Sequence, residues 1–170
     1  MSRDKLLSIY LNDHLAGATL GVELAKRSRA SNEGTPLGDF LDRLSREIEE
    51  DRETLKKLMR ELGIRSDRVK AYGAWAAEKL GRLKLNGQLR GYSPLSRLVE
   101  LEALYLGITG KHEMWITLQR TLGNEVPRFE FGELRRRAER QAAEVEEHRV
   151  EAAEAALASS GPDRPPGAES

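Results

Sequence analysis

An all-α fold of four long helices is what this sequence predicts, and three observations carry the prediction. Leu37, Leu41, Leu44, Ile48, Leu55, Leu58 and Leu62 alternate at steps of four and three, the mark of one buried helix face. Charged residues make up 33% of the chain and aromatics only 5%, with Leu, Ala, Glu and Arg abundant, which is a helical composition. The pairs Thr35–Pro36 and Ser93–Pro94 each place a capping hydroxyl before a proline suited to the first helical position.

The helices follow in order. The first is expected over residues 3–30, with Leu11, Leu15, Ala18, Val22 and Ala25 on its core stripe. Gly17 and Gly21 lie one turn apart beside that stripe. Each glycine costs a helix about 0.5–1 kcal/mol, so the pair predicts a close helix contact, within the chain or with a second copy. The second helix runs from Thr35 to Leu62, and Gly63 ends it. A shorter helix is expected after Ser66, carrying Val69, Trp75, Ala76 and Leu80, and a turn-rich stretch follows it. The third long helix starts after Ser93 with Leu98, Leu101, Leu104, Tyr105, Ile108, Trp115 and Leu118, and Gly107 and Gly110 should weaken its middle. The fourth spans residues 133–158, with Leu134, Ala138, Val145, Ala152 and Ala155 inward. None of these helices has a core of its own, so they must pack on one another. The chain of 170 residues is long enough for one domain over residues 1–158, and residues 159–170 have the composition of a disordered tail.

Composition also excludes chemistry. No cysteine is present, which removes disulfides, thiolate catalysis and Cys-type metal sites. The 28 basic and 28 acidic residues cancel, which argues against a general nucleic-acid binder. Between Arg60 and Arg97 there are nine basic and three acidic residues, and none acidic from Lys79 to Arg97. That stretch reads as a solvated crossover facing the acidic second and fourth helices, more than as an anion surface. No stretch approaches the ~20 apolar residues of a membrane span, and with no secretory leader expected, the cytoplasm is the expected compartment. No nucleophile elbow, phosphate-binding glycine loop or His-Glu-x-x-His motif occurs.

Several polar residues fall where the phase calls for apolar ones. Asp51 sits between Ile48 and Leu55. His14 shares a stripe with Gly17 and Gly21. Glu102 and His112 are read in phase with Leu98, Tyr105 and Ile116, and Gln141 and His148 flank Val145. Glu47 precedes Asp51 by one turn, and Glu144 precedes His148 by one turn, so each pair projects to one side of its helix. A buried carboxylate needs a partner, and for Asp51 the expected donors are His148, His14, Tyr105 or the arginines of its own helix.

Two helical hairpins, a long crossover and inward acids resemble the ferritin-like superfamily. The segments "RLVELEALYLGITGKHEMW" and "RAERQAAEVEEHRVEAA" are similar in layout to its bacterial YciE/YciF-type stress-protein branch. The resemblance implies a ferritin-like four-helix bundle and, where the metal site is kept, a di-iron or di-manganese centre with Glu-x-x-His pairs. Its candidate ligands would be His14, Glu47, Asp51, Glu102, Glu144 and His148. The chain departs from that pattern, with no Glu-x-x-His in the second or fourth helix and Ala18 where the first helix should bring a Glu. The expectation is therefore a non-enzymatic bundle protein without a cofactor, stress-related and acting through protein contacts or self-association. The alternative is a di-metal carboxylate protein that oxidises or stores iron or uses oxygen. In either case, Asp51 is expected to face the interior and be paired.

Overall fold

The computed structural model describes residues 1–66 and 92–158. Among them the chain is all-α, with four helices: α1 (Arg3–Ser31), α2 (Pro36–Glu61), α3 (Pro94–Leu122) and α4 (Phe131–Leu157). The short crossover helix and the tail expected from the sequence lie outside the described residues.

The caps act where the sequence places them. Thr35 Oγ1 accepts from the Gly38 amide at 3.1 Å, and Ser93 Oγ accepts from the Ser96 amide at 3.1 Å. Ser2 caps α1, its hydroxyl accepting from the Lys5 amide at 3.4 Å. Gly63 closes α2 with φ +68°, a left-handed conformation that other residues adopt only with strain. Gly38 serves a different need: a Cβ there would lie 2.2 Å from the Asn32 carbonyl oxygen, so only glycine lets α2 start against the α1–α2 turn.

The α1–α2 and α3–α4 pairs are the closely packed ones. The pairs meet chiefly along α1 and α3, while α2 and α4 barely touch through their backbones. The core has two parts. One gathers Val22, Leu41, Leu44, Ile48, Leu101, Leu104, Ile108 and Val145. The other gathers Leu11, Leu15, Leu55, Leu58, Met114, Trp115, Leu118 and Phe131. Between them on α2 lies Asp51, on α3 Lys111 and on α4 Gln141.

The buried stripe of α3 is Leu98, Leu101, Leu104, Ile108, Trp115, Leu118 and Leu122. Lys111 occupies the place in that series between Ile108 and Trp115. This corrects the phase expected for Glu102, which is exposed, and for His112. The helix also continues unbroken through Gly107 and Gly110.

Candidate functional site

The middle of the bundle is polar on three helices and hollow beside the fourth. Asp51 is 2% exposed, as its phase in α2 requires. Its partners differ from those expected: Lys111 Nζ on α3 donates to Oδ2 at 2.5 Å, and the Arg137 guanidinium on α4 donates to Oδ1. His148, His14, Tyr105 and the arginines of α2 are not its donors. Long cationic side chains from other helices reach it because their stems lie along apolar surface while their charges meet a buried anion. Gln141 joins the network, accepting from Lys111 and donating Nε2–H to Glu47 Oε2 at 2.8 Å. Arg137 also donates to Glu50 at 2.9 Å, towards the surface. Burial pulls the Lys111 ammonium below its ordinary pKa, and Asp51 opposes that pull.

Beside this layer, α1, α2 and α3 border a cavity of about 520 Å³ that opens to solvent past Gly17 and Gly107, both exposed. Gly17 and Gly21 of α1 and Gly107 and Gly110 of α3 lie in its wall. A Cβ at Gly17, Gly107 or Gly110 would meet nothing within 4 Å, and at Gly21 only Ile48 Cγ2 at 3.7 Å. Within the described chain, then, no helix packs closely on Gly17, and Gly21 faces only Ile48 of α2.

The antiparallel run of α1 against α3 gives the cavity two unlike ends. Arg3 near the start of α1 reaches Thr121 and Glu125 past the end of α3, and Asn32 after α1 meets Tyr92 and Arg97 at the start of α3. One end therefore collects Leu20, Leu24, Leu104 and Ile108, and the other mixes Asp13, His14, Arg52 and Lys111 with Leu55, Met114 and Trp115, so the lining is apolar throughout most of its area. Trp115 Nε1 and Arg52 Nε, on two residues of that end, are buried without an acceptor and closed off from the cavity by their neighbours. His14 packs edge-on to Tyr10 with ring centroids 4.6 Å apart, and burial holds its imidazole below its usual pKa despite Asp13.

A second polar network ties the far end of the bundle. Asn32, 3% exposed, donates to the Ser28 carbonyl at 2.7 Å and to Tyr92 Oη at 2.9 Å, and accepts from Arg97 at 3.0 Å. Tyr92 and Arg27 each donate to the buried carboxylate of Glu100, at 3.0 and 2.8 Å. Burial raises the Tyr92 hydroxyl above its usual pKa.

The six residues that the ferritin-like resemblance offers as ligands are not brought together. Asp51 has a cation on each oxygen. Glu47 meets Gln141, and Glu144 pairs with Arg43 at the surface. His148 packs on Phe40, centroids 4.6 Å apart, with Nδ1 3.4 Å from Glu151. Glu102 is 48% exposed in its side chain, 3.9 Å from Arg149. His14 lies across the cavity wall. Among the described residues no three His, Cys, Asp or Glu side chains form a group suited to a metal, so this donor set does not fit a di-metal centre.

Lys111, Arg137 and Trp115 are the site residues that sequence reasoning passed over. Lys111 had a signal, since it continues the spacing of Leu104, Ile108 and Trp115. Arg137 had none, because it flanks the α4 stripe.

No protein-family model matches the chain, and neither a curated protein nor a solved structure matches it. Among the described residues no helix is long and apolar enough to cross a membrane.

Proposed function

We propose that this is a non-enzymatic binding protein, a four-helix bundle that receives a small, largely apolar molecule between α1 and α3. One observation carries the reading: four glycines on two helices open onto one cavity, and three of them have nothing within 4 Å of where a Cβ would stand. Such glycines weaken their helices without a packing return inside the described chain, so the space they make is the feature to be explained. A ferritin-like ancestry, a crossover helix between α2 and α3 and a cytoplasmic setting belong to the same proposal. The paired hairpins and the cysteine-free sequence support them. A di-iron or di-manganese role would require Asp51 to exchange Lys111 and Arg137 for metal ions, and the geometry gives that role no support.

The test is N-phenyl-1-naphthylamine, an apolar dye that brightens in a dry pocket. Wild type should enhance its fluorescence saturably. The double variant Gly17→Leu with Gly107→Leu should fold, by circular dichroism, and lose the enhancement. If that variant unfolds while wild type ignores the dye, the chain's own residues fill the space and the reading is wrong.

A second reading has its own observation. Leu95 and Leu106 on α3 are 53% and 70% exposed, which favours the protein contact or self-association expected from the sequence. Sedimentation of wild type beside Leu106→Gln distinguishes it: a dimer that the variant dissolves supports a contact between copies.

A further inference from the structure

Resting on the binding reading above, we propose that the guest is an uncharged, flat ring system, standing edge-in between the glycine walls of α1 and α3.

The shape of the space points to a flat molecule. Its two long walls are α1 and α3, and α2 forms its floor with Ile48 and Leu55. Each long wall is bare backbone where its glycines lie, Gly17 and Gly21 on one side, Gly107 and Gly110 on the other. Leucines there would raise ridges that suit a knobbed or flexible guest, whereas glycines leave two smooth faces. Cα atoms of α1 and α3 come within 8 Å of one another. A single layer of carbon touching a backbone on each side needs about 7–8 Å between those backbones, twice a carbon–carbon contact distance. The space is long as well as thin, because its α1 wall runs from Asp13 to Leu24, about 16 Å at 1.5 Å per residue. A rigid ring system enters such a slot without giving up rotamer freedom, which a flexible chain would lose.

The charges point to a neutral molecule. Every charged side chain on the wall is already committed. Asp51 holds Lys111 and Arg137, Lys111 also donates to Gln141, and Arg52 donates to Glu49 at 3.0 Å. Asp13 has a partner as well, and burial favours the neutral form of His14. A charged guest would shed its water and find no free counter-charge. The opening past Gly17 and Gly107 lets a hydroxyl on the guest's outer edge stay in solvent.

Calorimetric titration of the full chain with 2-naphthol, 1-adamantanol and 2-naphthoate tests this. The first two are neutral alcohols of equal carbon number, one flat and one globular, and the third is the flat ring system with a charge. 2-Naphthol should bind at least about tenfold tighter than either of the others and displace N-phenyl-1-naphthylamine. Gly17→Ala with Gly107→Ala sets one methyl on each wall and should weaken 2-naphthol about tenfold while circular dichroism stays unchanged. Unchanged 2-naphthol binding in that variant would overturn the thin slot. Equal binding of 2-naphthol and 1-adamantanol, both displacing the dye, would keep the cavity reading and overturn the flat guest. Equal or tighter binding of 2-naphthoate would overturn the uncharged one. If the dye binds and none of the three does, this proposal alone fails; if the dye does not bind either, both proposals fail.

Discussion

The α2–α4 side of the bundle and the α1–α3 side solve the same problem in opposite ways. Both pairs face each other across the molecule at the level of Asp51. On the α2–α4 side the backbones stand apart, and the gap is bridged by long charged side chains: Arg137 to Asp51 and Glu50, Gln141 to Glu47, Arg43 to Glu144. On the α1–α3 side the backbones come closer, yet the residues there are Gly17, Ala18, Gly21, Ala103, Gly107 and Gly110, and a cavity remains. Gly17 and Gly107 are exposed at its mouth and Gly21 and Gly110 half-buried within it, so four glycines weaken two helices to keep that space open. The charged side explains how the fold holds. The small-residue side is where the molecule departs from what folding alone requires, and function is read there.

Breaking the charged side should have the largest effect. Asp51→Ala strands Lys111 and Arg137 and should cost about 3–5 kcal/mol in urea unfolding. Asp51→Leu should be nearly as harmful, because Lys111 stays buried without a counter-ion while Arg137 keeps only Glu50. Pairing Asp51→Leu with Lys111→Met should recover most of the loss. If Asp51→Ala costs under about 1 kcal/mol, the network is a wet surface feature and the contrast between the sides fails.

Filling the other side should do the reverse. Gly17→Ala with Gly107→Ala should stabilise the protein by about 1–2 kcal/mol, since the helices gain propensity and the new methyls meet nothing. A loss on thermal melting would show that those positions are tightly packed after all.

The pH response sharpens the cavity's polar end. His14 has an ordinary pKa of 6.5 that burial lowers in the folded chain. Below 6.5 the unfolded chain therefore binds a proton that the folded one refuses, and stability falls as pH drops through that window towards the folded value. His14→Gln removes the effect, so relative to wild type the variant should be more stable at pH 5 than at pH 7.5. No change in that difference would place His14 in solvent.

The smallest effects belong to the exposed carboxylates. Glu102→Gln and Glu144→Gln should each shift stability by no more than about 0.5 kcal/mol, because their partners are surface cations. A larger loss at either position would make it part of the inner network.

The contrast also explains what the sequence disclosed. α2 divides cleanly into apolar and charged faces, so its phase, its cap at Thr35 and the burial of Asp51 were all legible. α3 is not divided in that way. Leu95, Leu106 and Gly107 are apolar or small yet exposed, because that flank borders the cavity and the surface. With hydrophobic residues on two faces the phase is ambiguous, and Glu102 was read inward in place of Lys111. The partners of Asp51 were hidden for another reason. They lie 60 and 86 residues away, and no local periodicity reports which helices will be neighbours. The glycines were visible, but their meaning was not, since the same spacing serves a close contact and an open wall.

The most direct test of the cavity is amide NMR. Titrating ¹⁵N-labelled full chain with N-phenyl-1-naphthylamine should move the signals of Gly17, Gly21, Gly107 and Gly110, while Arg43, Glu144 and their neighbours on the α2–α4 side stay still. Shifts confined to the α2–α4 side, or none at the four glycines at saturating dye, would contradict the account.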